Sequence, residues 1–430
     1  MLSRKTGLKI LVVLLVMLLA TPSAFAAREA KLIFNGREYK ADIILEDGVS
    51  YISSSALKRI PGLELGDDPI VPIRKLFESQ GGEVSWDNNN WHVIVSWREK
   101  SGDLTADELV IKSSELLKEA NTYRMKAVNE IGLDLQGDEA LKALMGVPIN
   151  MELVIEGVFR NEPMSMHMKQ TMKMPLEMLG VSPEEMEASG LAEGIVTETV
   201  WHDNVIYTKN PDTGQWIYQD LTGMEEMIGF DSLIQMTPQQ SIEMMNEAGV
   251  INVFGDDAVI EGREYYTIKN YIDAESYRSL VEQVLGNINL GSFMAAFAAQ
   301  AGDGEDVSAQ LEQIFDIVLN NIVFDYYIDT FINKETLLSD YMKIDLNMVI
   351  DVKQLIEAIA EVTEMDEEEK AAIPEGPMVF QINMKGDYQM YDYGVELELP
   401  DLSDAISQEE YMQQIMEMME EIEEAEALAE

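Results

Sequence analysis

Apolar and polar residues alternate along most of the chain beyond residue 120, which is the pattern of strands that bury one face. The alternation predicts strands over residues 123–135, 150–160, 164–174, 194–201, 205–209, 216–219, 251–260, 264–271, 322–332, 338–350 and 378–399, the last broken near residues 391–394. Turn residues separate successive strands, as in Asn210-Pro211-Asp212-Thr213-Gly214. Strands at this hairpin spacing predict an antiparallel meander.

Five stretches instead repeat apolar residues at helical spacing. They predict helices over residues 107–121, 237–248, 274–285, 307–321 and 352–362. One large curved antiparallel sheet with helices on one side accounts for this order of elements. The predicted fold class is therefore α+β.

Residues 27–100 predict a separate, small α/β hairpin module. It contains strands over residues 31–39, 49–52, 83–86 and 92–97 and a helix over residues 73–79. The Asn35-Gly36 pair is a hairpin turn signal within the first of these stretches. Pro72 begins the helix and Gly81 ends it.

The charge of the chain is strongly negative. It has 79 Asp and Glu against 30 Lys and Arg, a net charge of −49, which argues against nucleic acid as a partner. Residues 27–100 contain 10 basic and 12 acidic residues, whereas residues 101–430 contain 17 basic and 67 acidic residues. This shift predicts a domain boundary near residue 100. The acidity favours a solubility role, and no Asp-x-Asp-x-Asp-Gly calcium loop is present.

The two ends of the chain have patterns of their own. Arg4, Lys5 and Lys9 precede an apolar run and an Ala-Phe-Ala cleavage site, which predicts a secretory signal peptide at residues 1–26. The run is shorter than the roughly 20 residues of a spanning helix, which favours cleavage over a retained anchor and predicts no membrane span afterwards. The predicted organisation is a signal at 1–26, the small module at 27–100, the sheet domain at 101–404 and an acidic C-terminal helix or tail at 405–430.

Several chemistries are excluded or disfavoured by composition. The chain has no cysteine, so it has no disulfide, no thiol nucleophile, no thiolate metal site and no lipidated N-terminal cysteine. It also lacks a Gly-x-Ser-x-Gly elbow, a phosphate-binding loop and a His-Glu-x-x-His motif, and it has three histidines. We therefore predict a non-enzymatic protein without catalytic residues, metal or cofactor.

Methionines supply the most distinctive apolar surface. In the strand predicted over residues 164–174, alternation places five of them on one face: Met164, Met166, Met168, Met172 and Met174. The residues Met342, Ile344, Leu346 and Met348 alternate in the same way in a later strand. Methionine adapts to irregular apolar neighbours, so this surface is either packed core or the lining of a ligand cavity. A copper site is a third interpretation, but His167 would point away from Met166 and Met168.

Two segments resemble known families. In the small module, VPIRKLFESQGGEVSWDNNNWHVIVS resembles the N-terminal domain of copper amine oxidases, together with the NGREY hairpin and the GVSYIS strand. That resemblance implies a stalk-like accessory module with neither copper nor quinone chemistry. In the large domain, YYIDTFINKETLLSDYMKIDLNM and the ending DYGVELELP resemble the LolA-like and LppX-like envelope lipoprotein-carrier proteins over about residues 105–402.

The second resemblance implies a half-open β-barrel whose concave face holds an acyl chain or another apolar ligand. Members of that group are often lipidated, which this chain cannot be at a cysteine. The resulting prediction is an exported envelope protein that binds a lipid or lipid-linked molecule against the methionine face. The alternative is a structural or interaction protein with a solidly packed sheet, whose partner is a cell-wall polymer or another protein.

Overall fold

The structure is a computed structural model that describes residues 30–137, 142, 148–174, 194–211, 213–221, 236–287, 313–314, 317–362 and 376–429. Side chains are described up to residue 419 of the C-terminal helix and up to residue 284 of the helix near the middle of the chain. The chain divides into two units. The smaller contains the residues up to Lys58 together with Leu63–Glu99, and the larger contains Arg59–Gly62 and the residues from Lys100 onward.

The small unit is built from short strands around one helix. Its strands are β1 (Lys31–Phe34), β2 (Arg37–Tyr39), β3 (Ile44–Glu46), β4 (Val49–Ser53), β5 (Ile70–Pro72), β6 (Glu83–Asp87) and β7 (His92–Ser96), with a 3₁₀ turn at Ala56–Arg59 and helix α1 (Ile73–Ser79). One sheet has the order β2-β1-β7-β6 and the other has the order β3-β4-β5. The predicted Asn35-Gly36 hairpin is confirmed, because both residues have the positive φ that this turn requires.

The large unit begins with the short hairpin of β8 (Lys100–Ser101) and β9 (Leu104–Thr105). The strands of its main sheet are β10 (Thr122–Gly137), β11 (Ile149–Arg160), β12 (Ser165–Lys173), β13 (Ile195–His202), β14 (Val205–Lys209), β15 (Trp216–Asp220), β16 (Val253–Phe254), β17 (Ala258–Ile260), β18 (Arg263–Asp273), β19 (Ile322–Asn333), β20 (Ser339–Asp351), β21 (Met378–Tyr391) and β22 (Ile406–Ser407). Its helices are α2 (Ala106–Ala120), α3 (Pro238–Glu247), α4 (Ala274–Asn287), α5 (Val352–Val362) and α6 (Gln408–Ala429).

These strands form one 13-stranded sheet in the order β16-β18-β19-β20-β21-β10-β11-β12-β13-β14-β15-β22, with β17 also pairing with β18. Every pair is antiparallel except β15 with β22. The central pair joins β10 to β21, which are distant in sequence, and it unites two meanders. The order is linear, so the sheet is open over the described residues. The predicted α+β class with one large antiparallel sheet is confirmed.

Cross-strand register divides the sheet into two chemically different faces. The apolar face carries Tyr123, Met125 and Ala127 of β10, and the register continues it through β11, β12, β20 and β21. The polar face carries ion pairs between neighbouring strands: Lys126–Glu156, Lys173–Glu152, Lys209–Glu198, Lys269–Asp329 and Lys343–Asp387. Residues directly opposite each other point to the same side of a sheet, so the alternation in sequence becomes two continuous surfaces.

Helices α2 and α4 pack on the apolar face. Leu109 of α2 lies in a buried cluster with Ile268 of β18 and Ile332 of β19. Tyr277 of α4 has its ring centroid 4.5 Å from that of Phe324, whose cross-strand partner is Met348. Helix α2 begins with a capping box, in which the Thr105 side chain and Glu108 satisfy each other's backbone amides.

Most of the predicted strands differ from the structure by one or two residues at an end, and those over residues 251–260 and 378–399 differ more. The stretch 251–260 is divided into β16 and β17, because Gly255 and two aspartates interrupt the alternation. The stretch 378–399 ends as a strand at Tyr391, since Asp392 and Gly394 take positive φ and turn the chain. Strand β12 spans residues 165–173, so Met164 and Met174 flank it. The signal segment and most of the helix predicted over residues 307–321 lie outside the described residues.

Candidate functional site

Seven of the nine predicted ligand-cavity residues lie on the apolar face of the sheet, in two groups. Met166, Met168 and Met172 lie on β12, opposite Phe159, Gly157 and Leu153 of β11. The other group, Met342, Ile344, Leu346 and Met348, lies on β20 opposite residues of β21 on the same face. Strands β11, β10 and β21 lie between the two groups. At the usual spacing between strands, the groups are about 19 Å apart, measured along the sheet.

Described residues line a cavity of about 940 Å³, partly open to solvent, at one end of this face. Of the nine predicted residues, Met164 and Met166 line it. Met164 lies in the turn before β12 and is 38% exposed, whereas Ile344 is 5% exposed and packed. The cavity is lined by Ser114, Leu117, Lys118, Tyr123, Phe159, Arg160, Asn161, Glu162, Pro163, Met164, Ser165, Met166, Trp201, Asp203, Asn204, Met236 and Pro238.

The end of helix α2 forms one wall of the cavity. Asn121 ends the helix with φ of 63°, and its side chain bonds both backbone groups of Glu162. The amide of Asn161 donates to the Asn121 carbonyl, and its side chain donates to the carbonyl of Leu117. These bonds hold the turn between β11 and β12 against the helix. The cavity is therefore built on a fixed turn.

Aromatic side chains and methionine form the apolar wall. The Tyr123 and Phe159 rings are stacked with centroids 5.6 Å apart, and Met166 lies opposite Phe159 on one side and Trp201 on the other. Burial raises the pKa of the Tyr123 hydroxyl above its ordinary value. The wall therefore offers a surface suited to an apolar group, with sulfur and aromatic carbon as its main contacts.

Arg160 is the cross-strand partner of Ser165, so it lies on the face of the sheet opposite to Phe159 and Met166. Its Nε donates to the Pro163 carbonyl at 3.0 Å, and its Nη2 donates to Ser165 Oγ at 2.8 Å. Ser165 is 1% exposed, and its Oγ also lies 3.2 Å from His202 Nδ1. The guanidinium is thus oriented by neutral oxygens.

The side chains of Ser165, His202 and Asp203 contact one another in that order, and their residue types are those of a hydrolase triad. The His202 Nε2 atom lies 3.2 Å from Asp203 Oδ2. Two features separate it from a nucleophilic site: Ser165 is buried, and Arg160 donates a hydrogen bond to its hydroxyl oxygen. A nucleophile must reach the substrate with its oxygen free. We interpret the three residues as the support that positions Arg160.

His167 lies on the polar face, away from Met166 and Met168. Its Nε2 is 2.8 Å from Glu198 Oε1, and Lys209 Nζ is 2.9 Å from the other carboxylate oxygen. Burial opposes ionisation of Glu198, but the hydrogen bonds from Lys209 and His167 prevail and lower its pKa. The methionines and His167 are therefore on opposite sides of the strand, as the alternation predicts.

Most residues of the cavity have no distinguishing pattern in the sequence. Leu117, Tyr123, Phe159, Arg160 and Trp201 come from four elements that are brought together by register and by the Asn121 contacts. None of these residues has an unusual local pattern. A long connection joins β10 to β11, so the sequence does not show that these two strands pair. The signal that the sequence offered for this cavity was a pair of aromatic residues, Tyr123 and Phe159, at the ends of two consecutive predicted strands.

Among the described residues, no helix combines the length and the apolar character that crossing a membrane requires. No cluster of three or more His, Cys, Asp or Glu side chains suited to a metal ion occurs among them.

Comparison with protein families gives one match for the large unit. Residues 105–401 match a family described as "Family of unknown function (DUF6612)", so the chain belongs to that family. The match does not extend to residues 27–100, where the resemblance to the copper amine oxidase N-terminal domain stays a prediction. No curated protein matches the chain.

Solved structures give matches of low similarity. The lipoprotein LppX of Mycobacterium tuberculosis is 10% identical with a TM-score of 0.27, covering 69% of this chain and 98% of its own. LprF of Mycobacterium bovis is 11% identical with a TM-score of 0.27, covering 69% and 96%. A DUF1329 family protein of Desulfovibrio piger is 7% identical with a TM-score of 0.20, covering 68% and 93%. At these TM-scores, the class of fold rests on the strand order of the chain itself.

Proposed function

We propose that this protein is an exported, non-enzymatic protein of the cell envelope that binds an apolar ligand, a lipid or lipid-linked molecule. The observation that carries the proposal is the cavity of about 940 Å³ at the end of the apolar face. Its volume lies at the upper end of the range for small-molecule sites, and its wall of Leu117, Tyr123, Phe159, Met166 and Trp201 suits hydrocarbon.

The remaining features support a role outside the cytoplasm. The signal pattern at residues 1–26 supports export. The absence of cysteine supports a protein that is not lipidated at a cysteine. The small unit then serves as an accessory module, with a cell-wall polymer or another protein as its partner. The ligand cavity belongs to the large unit.

Native mass spectrometry with lipid extraction, on protein purified from the exporting host, tests the proposal. We expect a co-purified lipid in stoichiometric amount, and uptake of a neutral apolar fluorescent probe by the delipidated protein. Met164→Asp and Met166→Asp should each lower probe affinity at least about tenfold, because a carboxylate in the apolar wall loses its hydration.

Lys169→Asp is the matched control, because Lys169 is exposed on the polar face of the same strand. It should bind the probe as the unchanged protein does. Met164 is in a turn, so its variant tests the cavity even where Met166→Asp lowers stability. A protein that carries no lipid and takes up no probe would contradict ligand binding and favour the structural or interaction role, with a solidly packed sheet.

A further inference from the structure

One hydroxyl in the apolar wall of the cavity indicates which ligands the cavity accepts. We infer that the ligand carries a carbonyl group, as an acyl ester or amide does, and that this carbonyl accepts a hydrogen bond from the Tyr123 hydroxyl. The apolar chain of the ligand lies against Phe159, Met166 and Trp201. This inference rests on the proposed function and specifies its ligand.

The cross-strand register places Tyr123 in the apolar wall. Tyr123 of β10 is opposite Phe159 of β11, and Phe159 is opposite Met166 of β12. Directly opposed side chains point to the same side of a sheet, so these three share one face. The Tyr123 and Phe159 ring planes are 16° from parallel, and all three residues line the cavity. Tyr123 is therefore a wall residue that also carries a polar atom.

The Tyr123 hydroxyl makes no hydrogen bond within the described part of the chain, and burial alone raises its pKa. Neighbouring tyrosines differ. The Tyr388 hydroxyl donates to Asn129 Oδ1 at 3.0 Å. Tyr393, whose ring centroid is 6.5 Å from that of Tyr123, donates to the Ser339 carbonyl at 2.7 Å. The hydroxyl of Tyr123 is thus left for a partner other than the protein residues described.

The same hydroxyl is accessible. The described side chains have three fully buried polar atoms without a partner, which are Thr267 Oγ1, Asn270 Oδ1 and Arg278 Nε. The Tyr123 hydroxyl is not one of them, so a water molecule or a ligand atom can reach it where Tyr123 lines the cavity.

Filling the cavity removes water from this hydroxyl. A plain hydrocarbon chain would leave the donor without an acceptor, which opposes binding. A carbonyl oxygen at the same place restores the hydrogen bond. A chain that carries a carbonyl near the Tyr123 end of the cavity should therefore bind more tightly than the same chain without one.

Other polar groups of the cavity depend less on the ligand. Ser114 and Lys118 of α2 also line it. A serine hydroxyl in a helix can bond a carbonyl of its own helix, and Lys118 is exposed and stays hydrated. Asn161 already donates to the Leu117 carbonyl. Tyr123 holds its hydroxyl at the end of a rigid ring, too far from its own backbone to bond it.

A matched ester and ether test the inference. Monohexadecanoylglycerol and monohexadecylglycerol share their chain and head group, and only the ester has the carbonyl oxygen. Each displaces a neutral apolar probe from the delipidated full-length mature protein, below the concentration at which it aggregates. The ester should bind about fivefold tighter, the effect of one neutral hydrogen bond. Tyr123→Phe keeps the ring and removes the donor, so it should weaken the ester and reduce the ratio to less than about twofold.

Tyr326→Phe is the matched control. Tyr326 lies opposite Leu346 on the apolar face but does not line the cavity. Its hydroxyl also makes no hydrogen bond to the residues described, and burial is the main cause of its raised pKa. This variant should keep the ratio of the unchanged protein.

The outcomes separate the two levels of the proposal. If ester and ether bind equally to the unchanged protein, the carbonyl is wrong while apolar binding stands. If neither displaces the probe, the proposed function itself fails. A ratio that persists in Tyr123→Phe, or falls equally in Tyr326→Phe, overturns the assignment to Tyr123. The melting temperature of Tyr123→Phe should equal that of the unchanged protein, and a marked fall would reveal a protein partner for the hydroxyl and overturn the inference.

Discussion

At the scale of single residues, the buried carboxylate of Asp340 joins several elements. It accepts hydrogen bonds from the Tyr265 hydroxyl at 3.0 Å, from Asn333 Nδ2 at 3.0 Å and from the Tyr393 hydroxyl at 3.3 Å. Burial and the bond to Asp340 raise the pKa of Tyr265 to about 12. One side chain therefore ties β18, β19, β20 and the turn after β21.

Replacing Asp340 tests its role. Asp340→Ala leaves the Tyr265 hydroxyl and Asn333 Nδ2 without their acceptor in a buried site, whereas the Tyr393 hydroxyl keeps the Ser339 carbonyl 2.7 Å away. The free energy of unfolding should therefore fall by about 3 kcal/mol. Tyr265 should then ionise at a lower pH, closer to its ordinary pKa of 10.0. Urea unfolding and ultraviolet titration of the tyrosines are the two measurements.

Asp345→Ala is the control for this experiment, because Asp345 lies exposed on the polar face of the same strand. It should change stability by less than about 0.5 kcal/mol. The sign of the pH effect follows from the raised pKa of Tyr265. Its contribution is complete below pH 10 and is lost as the pH rises through about 12. Equal stabilities of the two variants would contradict the role given to Asp340.

At the scale of elements, a glycine makes room on the apolar face where three strands meet. Gly386 of β21 lies between Asn129 of β10 and Ile344 of β20. A Cβ placed there would be 2.5 Å from Asn129 Oδ1, 2.7 Å from Ile344 Cγ1 and 2.8 Å from Tyr388 Cε2. The Tyr388 hydroxyl donates to Asn129, so the glycine makes room for a partly buried polar pair within the apolar face.

Gly386→Ala should therefore destabilise the large unit by about 1–3 kcal/mol, since its methyl group displaces packed side chains. Gly132→Ala is the matched control on the polar face of β10, where the nearest atom to a Cβ is 3.4 Å away. It should alter stability by less than about 1 kcal/mol. Chemical denaturation of both variants makes the comparison, and a tolerated Gly386→Ala would show that this part of the sheet adapts.

Local sequence patterns predicted most elements of the large unit. Strand β14 and helix α5 have the predicted limits, because alternation, helical spacing and turn residues all act within a few positions. The same patterns placed the β12 and β20 apolar residues on one face. They did not predict that the two groups lie about 19 Å apart along the sheet. That distance depends on the three strands between them, which only the strand order shows.

At the scale of the whole molecule, net charge sets how stability depends on salt. A charge of −49 destabilises the compact state through repulsion among carboxylates. Raising ionic strength from 0.01 to 0.1 M shortens the screening length from about 30 to about 10 Å. The melting temperature should therefore rise by several degrees over this range in sodium chloride, as measured by circular dichroism.

Calcium chloride at equal ionic strength separates screening from specific binding. An equal rise in melting temperature indicates screening alone, and a larger rise with calcium indicates a bound cation. A melting temperature that is constant across the sodium chloride series would contradict charge repulsion as a term in stability. Both series use the full mature chain, since its excess of acid lies in residues 101–430.

The sequence by itself determined the kinds of element, the two-faced character of the sheet and the acidity of the large unit. These properties depend on residue type and on spacing between near neighbours. Only the tertiary structure decided the pairing of β10 with β21 and the cavity beside helix α2. Those features depend on contacts between residues far apart in the chain, such as Asn121 with Glu162, and local periodicity carries no information about such partners.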